Sequence, residues 1–164
     1  MESPAAPNAR FRTPEGAPLS TADVVAKGRG LPVLLAFFKT SCPICQLTWP
    51  YLQRVHEAYG RQAAHVVGVS QDDAASSRAY YAEYGGATFD LLLDPEPTFL
   101  ASNAFGVEAV PHIVLLSPEG VALDVFAGWS KKRMEALGER FAAKDVPFVP
   151  VVPPGDPVRD FAAG

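Results

Sequence analysis

The chain is poor in cysteine and histidine, with two of the former and three of the latter in 164 residues. Two cysteines are too few for a disulfide framework, and a zinc site built on them has only His56, His65 and His112 to complete it. Long apolar runs are missing as well. The longest, Leu31 to Phe38, falls far short of the roughly 18 residues that a membrane-spanning helix needs. There is no basic block or arm, and 14 Lys+Arg against 18 Asp+Glu give a net charge of -4, so nucleic-acid binding has no electrostatic footprint. Met1 to Pro7 contain neither a charged n-region nor an apolar h-region. A secretory leader is therefore not expected, and the expected compartment is the cytoplasm; the alternative is extracytoplasmic, if a signal or anchor has been removed.

What is present is the balance of a packed core: 48% hydrophobic residues and 20% charged, in a length that suits one domain. Residues 1–18 read as an irregular lead-in with a short edge strand near Phe11. Leu19 to Asp23 read as a helix entrance, with Ser20 or Thr21 as N-cap, and Gly28 and Gly30 stop that helix. Val33 to Phe38 is continuously apolar, as a central strand buried on both faces would be. Directly after it comes Cys42-Pro43-Ile44-Cys45, followed by Leu47, Tyr51 and Val55 at helical spacing and by Gly60 as C-cap. The pattern continues with a strand over 66–69, a helix over 73–84, short elements over 89–93 and 97–105, and a strand over 113–116. The turn Ser117-Pro118-Glu119-Gly120 leads into Val121–Phe126 as a hairpin, and a helix over 131–143 closes the domain. Residues 144–164 form a proline-rich tail that is too apolar for a free linker; it either wraps its own domain or docks on a second copy as a homodimer contact.

The cysteine pair thus joins a buried strand to a helix N-terminus, and that position carries chemistry. A disulfide exchanges only when a thiolate attacks it, and unpaired amides with the helix dipole favour an anion at Cys42. Cys42 is the expected nucleophile. Cys45, nearly one turn on, is the expected resolving thiol, and Pro43 fixes the first helical position without donating an N–H. The competing readings are half a zinc site or a soft-metal thiol module.

Strand, Cys-x-x-Cys, helix, then βαβ and a late hairpin with a closing helix resembles the thioredoxin superfamily, in its TlpA-like and AhpC/TSA (redoxin) branch, over about residues 19–143. Phe37 to Cys45, Pro50 within the following helix and Val110-Pro111 before the hairpin carry the resemblance. It implies an α/β fold, a thioredoxin-like three-layer α/β/α sandwich whose central mixed sheet carries an inserted βα segment at 66–95. It also implies a cis Pro111 facing the cysteines, with the Val110 backbone free to pair with an extended substrate alongside Pro43 and Ile44. Ser41 stands where relatives usually carry Trp, and Gln71, with Asp72 adjacent, stands where many carry a Glu close to the buried cysteine. Proton handling by Asp72, Gln71, His112 or Lys39 is weighed against ordinary roles: capping of the 73–84 helix, strand packing and a solvated loop lysine.

The function expected on this basis is thiol-disulfide oxidoreduction with a protein or small-molecule disulfide or dithiol and a thiol electron donor or acceptor, using no cofactor and no metal. An AhpC/TSA-type thiol peroxidase is the enzymatic alternative. The resemblance implies Thr or Ser three residues before the peroxidatic cysteine, and here that residue is Lys39.

Overall fold

The unbroken apolar run Val33–Phe38 is a strand with strands on both sides and helices over both faces, and all of its residues are buried. The computed structural model describes residues 4–142 and 145–164. Its elements run β1 (Arg10–Arg12), β2 (Pro18–Ser20), α1 (Thr21–Lys27), β3 (Val33–Phe38), α2 (Pro43–Tyr59), β4 (His65–Ser70), α3 (Ala74–Glu83), β5 (Asp90–Leu93), α4 (Leu100–Ala104), β6 (His112–Leu116), β7 (Ala122–Ala127), β8 (Trp129–Ser130), α5 (Lys131–Ala142) and β9 (Phe161–Ala162).

The main sheet has the order β2-β1-β5-β4-β3-β6-β7. β3, β4 and β5 are parallel, whereas β6 and β7 on one side and β1 and β2 on the other run antiparallel to their neighbours. The sheet is therefore mixed, and the expected insert over 66–95 falls on β4, α3 and β5, with β4 beginning one residue earlier at His65. Strand alternation divides the core in two. Leu34, Ala36 and Phe38 face Trp49, Leu52 and Val55 of α2, with Tyr80 of α3 and Met134, Leu137 and Phe141 of α5. Val33, Leu35 and Phe37 face Val24 of α1, Ala101 of α4 and Phe11 of β1. Among the described residues no helix is long and apolar enough to cross a membrane.

Local chemistry sets the element ends. Ser20 caps α1 through a capping box with Asp23, their mutual bonds measuring 3.1 and 2.9 Å. Asp73, and neither Gln71 nor Asp72, caps α3 by accepting from the Ser76 amide at 2.8 Å. α4 is shorter than the helix expected over 97–105, because Phe99 at its N-cap is left-handed (φ 41) and cannot continue a right-handed helix backward. The buried carboxylate of Asp94 accepts instead from the Ala101 and Ser102 amides at 2.9 and 2.7 Å.

The lead-in is more ordered than its composition suggests. β1 is the edge strand expected near Phe11, but Leu19, expected at a helix entrance, pairs with Phe11 in β2. Three-residue strands are too short to show a period, so only the pairing reveals them.

The tail packs along its own domain. Arg54 donates to the Val151 carbonyl at 2.9 Å, the Tyr59 hydroxyl bonds both the N–H and the C=O of Val149 at 2.8 Å, and Tyr51 donates to Asp156 at 2.8 Å. Val151 and Val152 are buried in the α2 face of the core. The expected end of the last helix at 143 and the tail boundary at 144 lie outside the described residues.

Candidate active site

β3 delivers the chain to one end of the sheet, where Lys39–Ser41 form a turn closed by the Cys42 amide donating to the Lys39 carbonyl at 3.2 Å. Asp72 braces this turn, its carboxylate accepting from the amide and hydroxyl of Thr40 at 2.7 and 2.9 Å. Gln46 in α2 adds a bond to the Thr40 carbonyl at 3.0 Å. The loop is held from two sides, and Cys42 follows in a fixed place.

Cys42 is the N-cap of α2, with Pro43 at the first helical position. Its Sγ accepts from the Cys45 amide at 3.1 Å and donates to the Val110 carbonyl at 3.4 Å. Any anion formed on Cys42 therefore has a backbone donor already aimed at it, at the positive end of a 17-residue helix. Both cysteines are free thiols, Cys42 half-buried and Cys45 fully buried. Burial pushes the Cys45 thiol well above its ordinary value of 9.0, and its hydrogen bond with Cys42 adds to the effect. One sulfur is presented to a groove of about 510 Å³ and the other is kept behind it as a thiol.

Lys39, Pro43, Gln71 and Val110 line that groove with Cys42, while Ile44 sits half-buried in the first turn of α2. The Val110–Pro111 peptide is cis. Gln71 is buried and donates to the Ser102 hydroxyl at 2.8 Å, so its side chain is held by α4. Asp72 is committed to Thr40 and does not line the groove. His112 turns to the opposite face of the sheet, its ring edge-on to Phe37 with centroids 5.9 Å apart, and burial lowers its pKa. Among the described residues no three His, Cys, Asp or Glu side chains come together as a metal site requires.

Several site residues carried no sequence signal. The tail residue Gly164 borders the groove from outside the site, and Thr40 and Ser102 reach the groove or its bracing only through the fold. Tyr80 is another: its ring stacks on Phe38 with centroids 4.7 Å apart, and burial pushes the pKa of its hydroxyl well above the ordinary value.

The AhpC/TSA family model matches residues 3–123, about three-quarters of the sequence. The chain belongs to the AhpC/TSA family. Among curated relatives, the thiol-disulfide oxidoreductase ResA of Geobacillus thermodenitrificans is 28% identical over 104 residues, 63% of this chain. This chain spans 59% of that relative's length. Two solved structures share the fold: MTB DsbF, with a TM-score of 0.68 at 24% identity over 87% of this chain and 98% of its own, and a secreted Mycobacterium tuberculosis disulfide oxidoreductase homologous to E. coli DsbE, with 0.62 at 24% over 82% and 94%. The fold is thioredoxin-like, a mixed sheet between two helical layers.

In this AhpC/TSA chain the buried Cys45 makes reduced-state stability depend on pH. A thiol whose folded pKa lies above its unfolded one stays protonated longer in the folded state, so its stabilising effect is complete below about pH 9 and is lost as pH rises. Between pH 9 and 10, the share of Cys45 in the stability of the reduced protein is expected to fall with a slope approaching about 1.4 kcal/mol per pH unit, on top of the fall from the buried Tyr80 and Tyr81, whose hydroxyl pKa values burial also raises. Cys45→Ala lowers the slope by that share in denaturant unfolding. An equal slope in the variant assigns the dependence elsewhere.

Proposed function

We propose that this chain is a thiol-disulfide oxidoreductase that cycles Cys42 and Cys45 between dithiol and disulfide, using no cofactor. The observation that carries the reading is the asymmetry of the pair, with one sulfur capping α2 in an open groove and the other buried directly beneath it. The Cys42 thiolate attacks one sulfur of a substrate disulfide; a Cys42–substrate bond forms, the substrate S–S bond breaks, and the departing sulfur takes a proton from solvent. Cys45 then attacks Cys42 Sγ, and its proton passes to the departing second substrate sulfur. The intramolecular disulfide forms, the mixed disulfide breaks, and the substrate has gained two electrons and two protons. The reverse sequence oxidises dithiols, and redox poise sets the direction.

The name ResA and the titles of the structural neighbours support disulfide- or dithiol-bearing protein substrates and a thiol electron donor or acceptor. They also move the proposed compartment from the cytoplasm expected from Met1–Pro7 to the extracytoplasmic alternative. One neighbour is described as secreted, and oxidising compartments are where protein disulfides persist. Membership of the AhpC/TSA family keeps thiol peroxidase chemistry as the second reading, but Lys39 stands three residues before Cys42, where the resemblance implies Thr or Ser.

The test is equilibration in dithiol/disulfide buffers of graded potential, with alkylation and mass analysis to count free thiols. A reversible two-electron transition, two alkylated sulfurs giving way to none, is expected. If no intramolecular disulfide forms at any potential, the exchanger reading is wrong and single-cysteine peroxide chemistry takes its place.

A further inference from the structure

The end of the tail lies across the groove. β9 pairs with β8, placing Ala162 opposite Trp129 and Phe161 opposite Ser130, and Trp129 Nε1 donates to the Arg159 carbonyl at 2.6 Å. Past β9, Ala163 and Gly164 cross Gly128, where an added Cβ would come within 2.6 Å of the Ala162 carbonyl and 3.2 Å of the Gly164 nitrogen. Gly128 has φ +76, so glycine serves both the turn and the close approach there. Gly164 then abuts Val110, and a Cβ on it would overlap the Val110 carbonyl oxygen. It lines the same groove as Cys42.

Val110 is the backbone with which, by the family resemblance, an extended substrate chain pairs. Its carbonyl accepts from Cys42, and among the described residues its N–H makes no hydrogen bond. A polypeptide adding to this edge as a strand must lie about 4.7–4.9 Å from it to form main-chain bonds. Gly164 is in contact with the carbonyl from which that distance is measured. The attachment is uneven, because β9 and Arg159 are anchored by hydrogen bonds whereas Ala163 and Gly164 make none among the described residues.

We propose that residues 163–164 are a strap over the Val110 edge, so that the site reacts freely with small disulfides but with disulfides in an extended polypeptide only once the strap has moved. This rests on the exchanger reading and adds substrate selectivity to it. A closed strap lowers apparent affinity by the fraction of time the edge is open, and only for substrates that need the edge.

Two variants test it: removal of residues 163–164, which leaves β9 and the Arg159 anchor in place, and Gly164→Ala, whose Cβ overlaps the Val110 carbonyl and pushes the strap away. Each is assayed with insulin as a polypeptide disulfide and hydroxyethyl disulfide as a small one. Both are expected to raise kcat/KM for insulin by about 5-fold or more and to leave hydroxyethyl disulfide within about 2-fold. General loosening of the fold does not produce a gain confined to one substrate. Unchanged or lower insulin activity, with hydroxyethyl disulfide still turned over, overturns the strap and leaves the exchanger intact. Failure of the parent chain to react with either disulfide overturns the exchanger reading, and the strap with it.

Discussion

Cys42→Ser is expected to abolish disulfide exchange, a loss on the order of 10³-fold or more, because the attacking group is a thiolate and a serine hydroxyl does not ionise near neutral pH. The loss is not expected to come with unfolding. Cys42 occupies the N-cap of α2 and accepts from the Cys45 amide at 3.1 Å, and serine is among the preferred residues for that position. Thermal stability of the variant should therefore stay close to that of the reduced parent. Cys45→Ala should behave differently: the first attack proceeds, the second has no sulfur to make it, and a covalent adduct between Cys42 and the substrate accumulates. Mass analysis of the reaction with a thiol-reactive disulfide shows which variant holds the adduct. Should Cys42→Ser keep activity within tenfold of the parent, or should the adduct sit on Cys45, the assignment of nucleophile and resolver is reversed.

The placement of the two cysteines at the entrance of α2 is legible in the sequence because it depends on short-range order. A buried strand, a turn, a cysteine at a helix entrance and a second cysteine three residues on are all local, and the observed α2 starts and stops at Pro43 and Tyr59, where the Cys42 cap and Gly60 put its ends. What surrounds the sulfurs was less legible. Asp72, a candidate for proton handling by sequence, braces Thr40, a partner 32 residues away in sequence. His112 follows Pro111, and nothing in that adjacency says which face of the sheet its ring takes. Strand alternation decides it: His112 pairs with Phe37, and both turn to the face covered by α1 and α4. Gln71 lines the groove, but its side chain is tied to Ser102 of α4, a helix whose start depends on the buried Asp94.

The tail shows the same limit more plainly. Its prolines exclude helix and central strand, which is a local fact, whereas its anchors come from Arg54, Tyr51 and Tyr59, three residues of α2 about 90 to 105 positions away. In a helix wheel these are simply polar or aromatic residues at the edge of an apolar face. Only once α2 lies on the sheet do they become a row of donors, two to main-chain carbonyls of the irregular segment and one to its Asp156 carboxylate.

Trp129 joins that tail to the domain, and Trp129→Ala is expected to cost about 3–5 kcal/mol, the range for truncating a fully buried aromatic. Three effects combine. The indole leaves a cavity beside Tyr51, whose ring centroid is 4.7 Å away; the Arg159 carbonyl loses its donor; and β8 loses the side chain that holds it in the core against β9. Against the roughly 5–15 kcal/mol that holds an ordinary domain together, the variant is marginal. Trp129→Phe separates the contributions, since it keeps most of the ring packing and deletes the Nε1 hydrogen bond, for which about 1 kcal/mol is expected. Denaturant unfolding measures both, and hydrogen exchange over residues 156–164 reports whether the tail has lifted while the rest of the domain remains folded. A loss below about 1 kcal/mol for the alanine variant contradicts the buried anchor described here. A full loss with unchanged tail exchange shows that Trp129 supports the core but not the tail, and the docking then rests on Tyr51, Arg54 and Tyr59 alone.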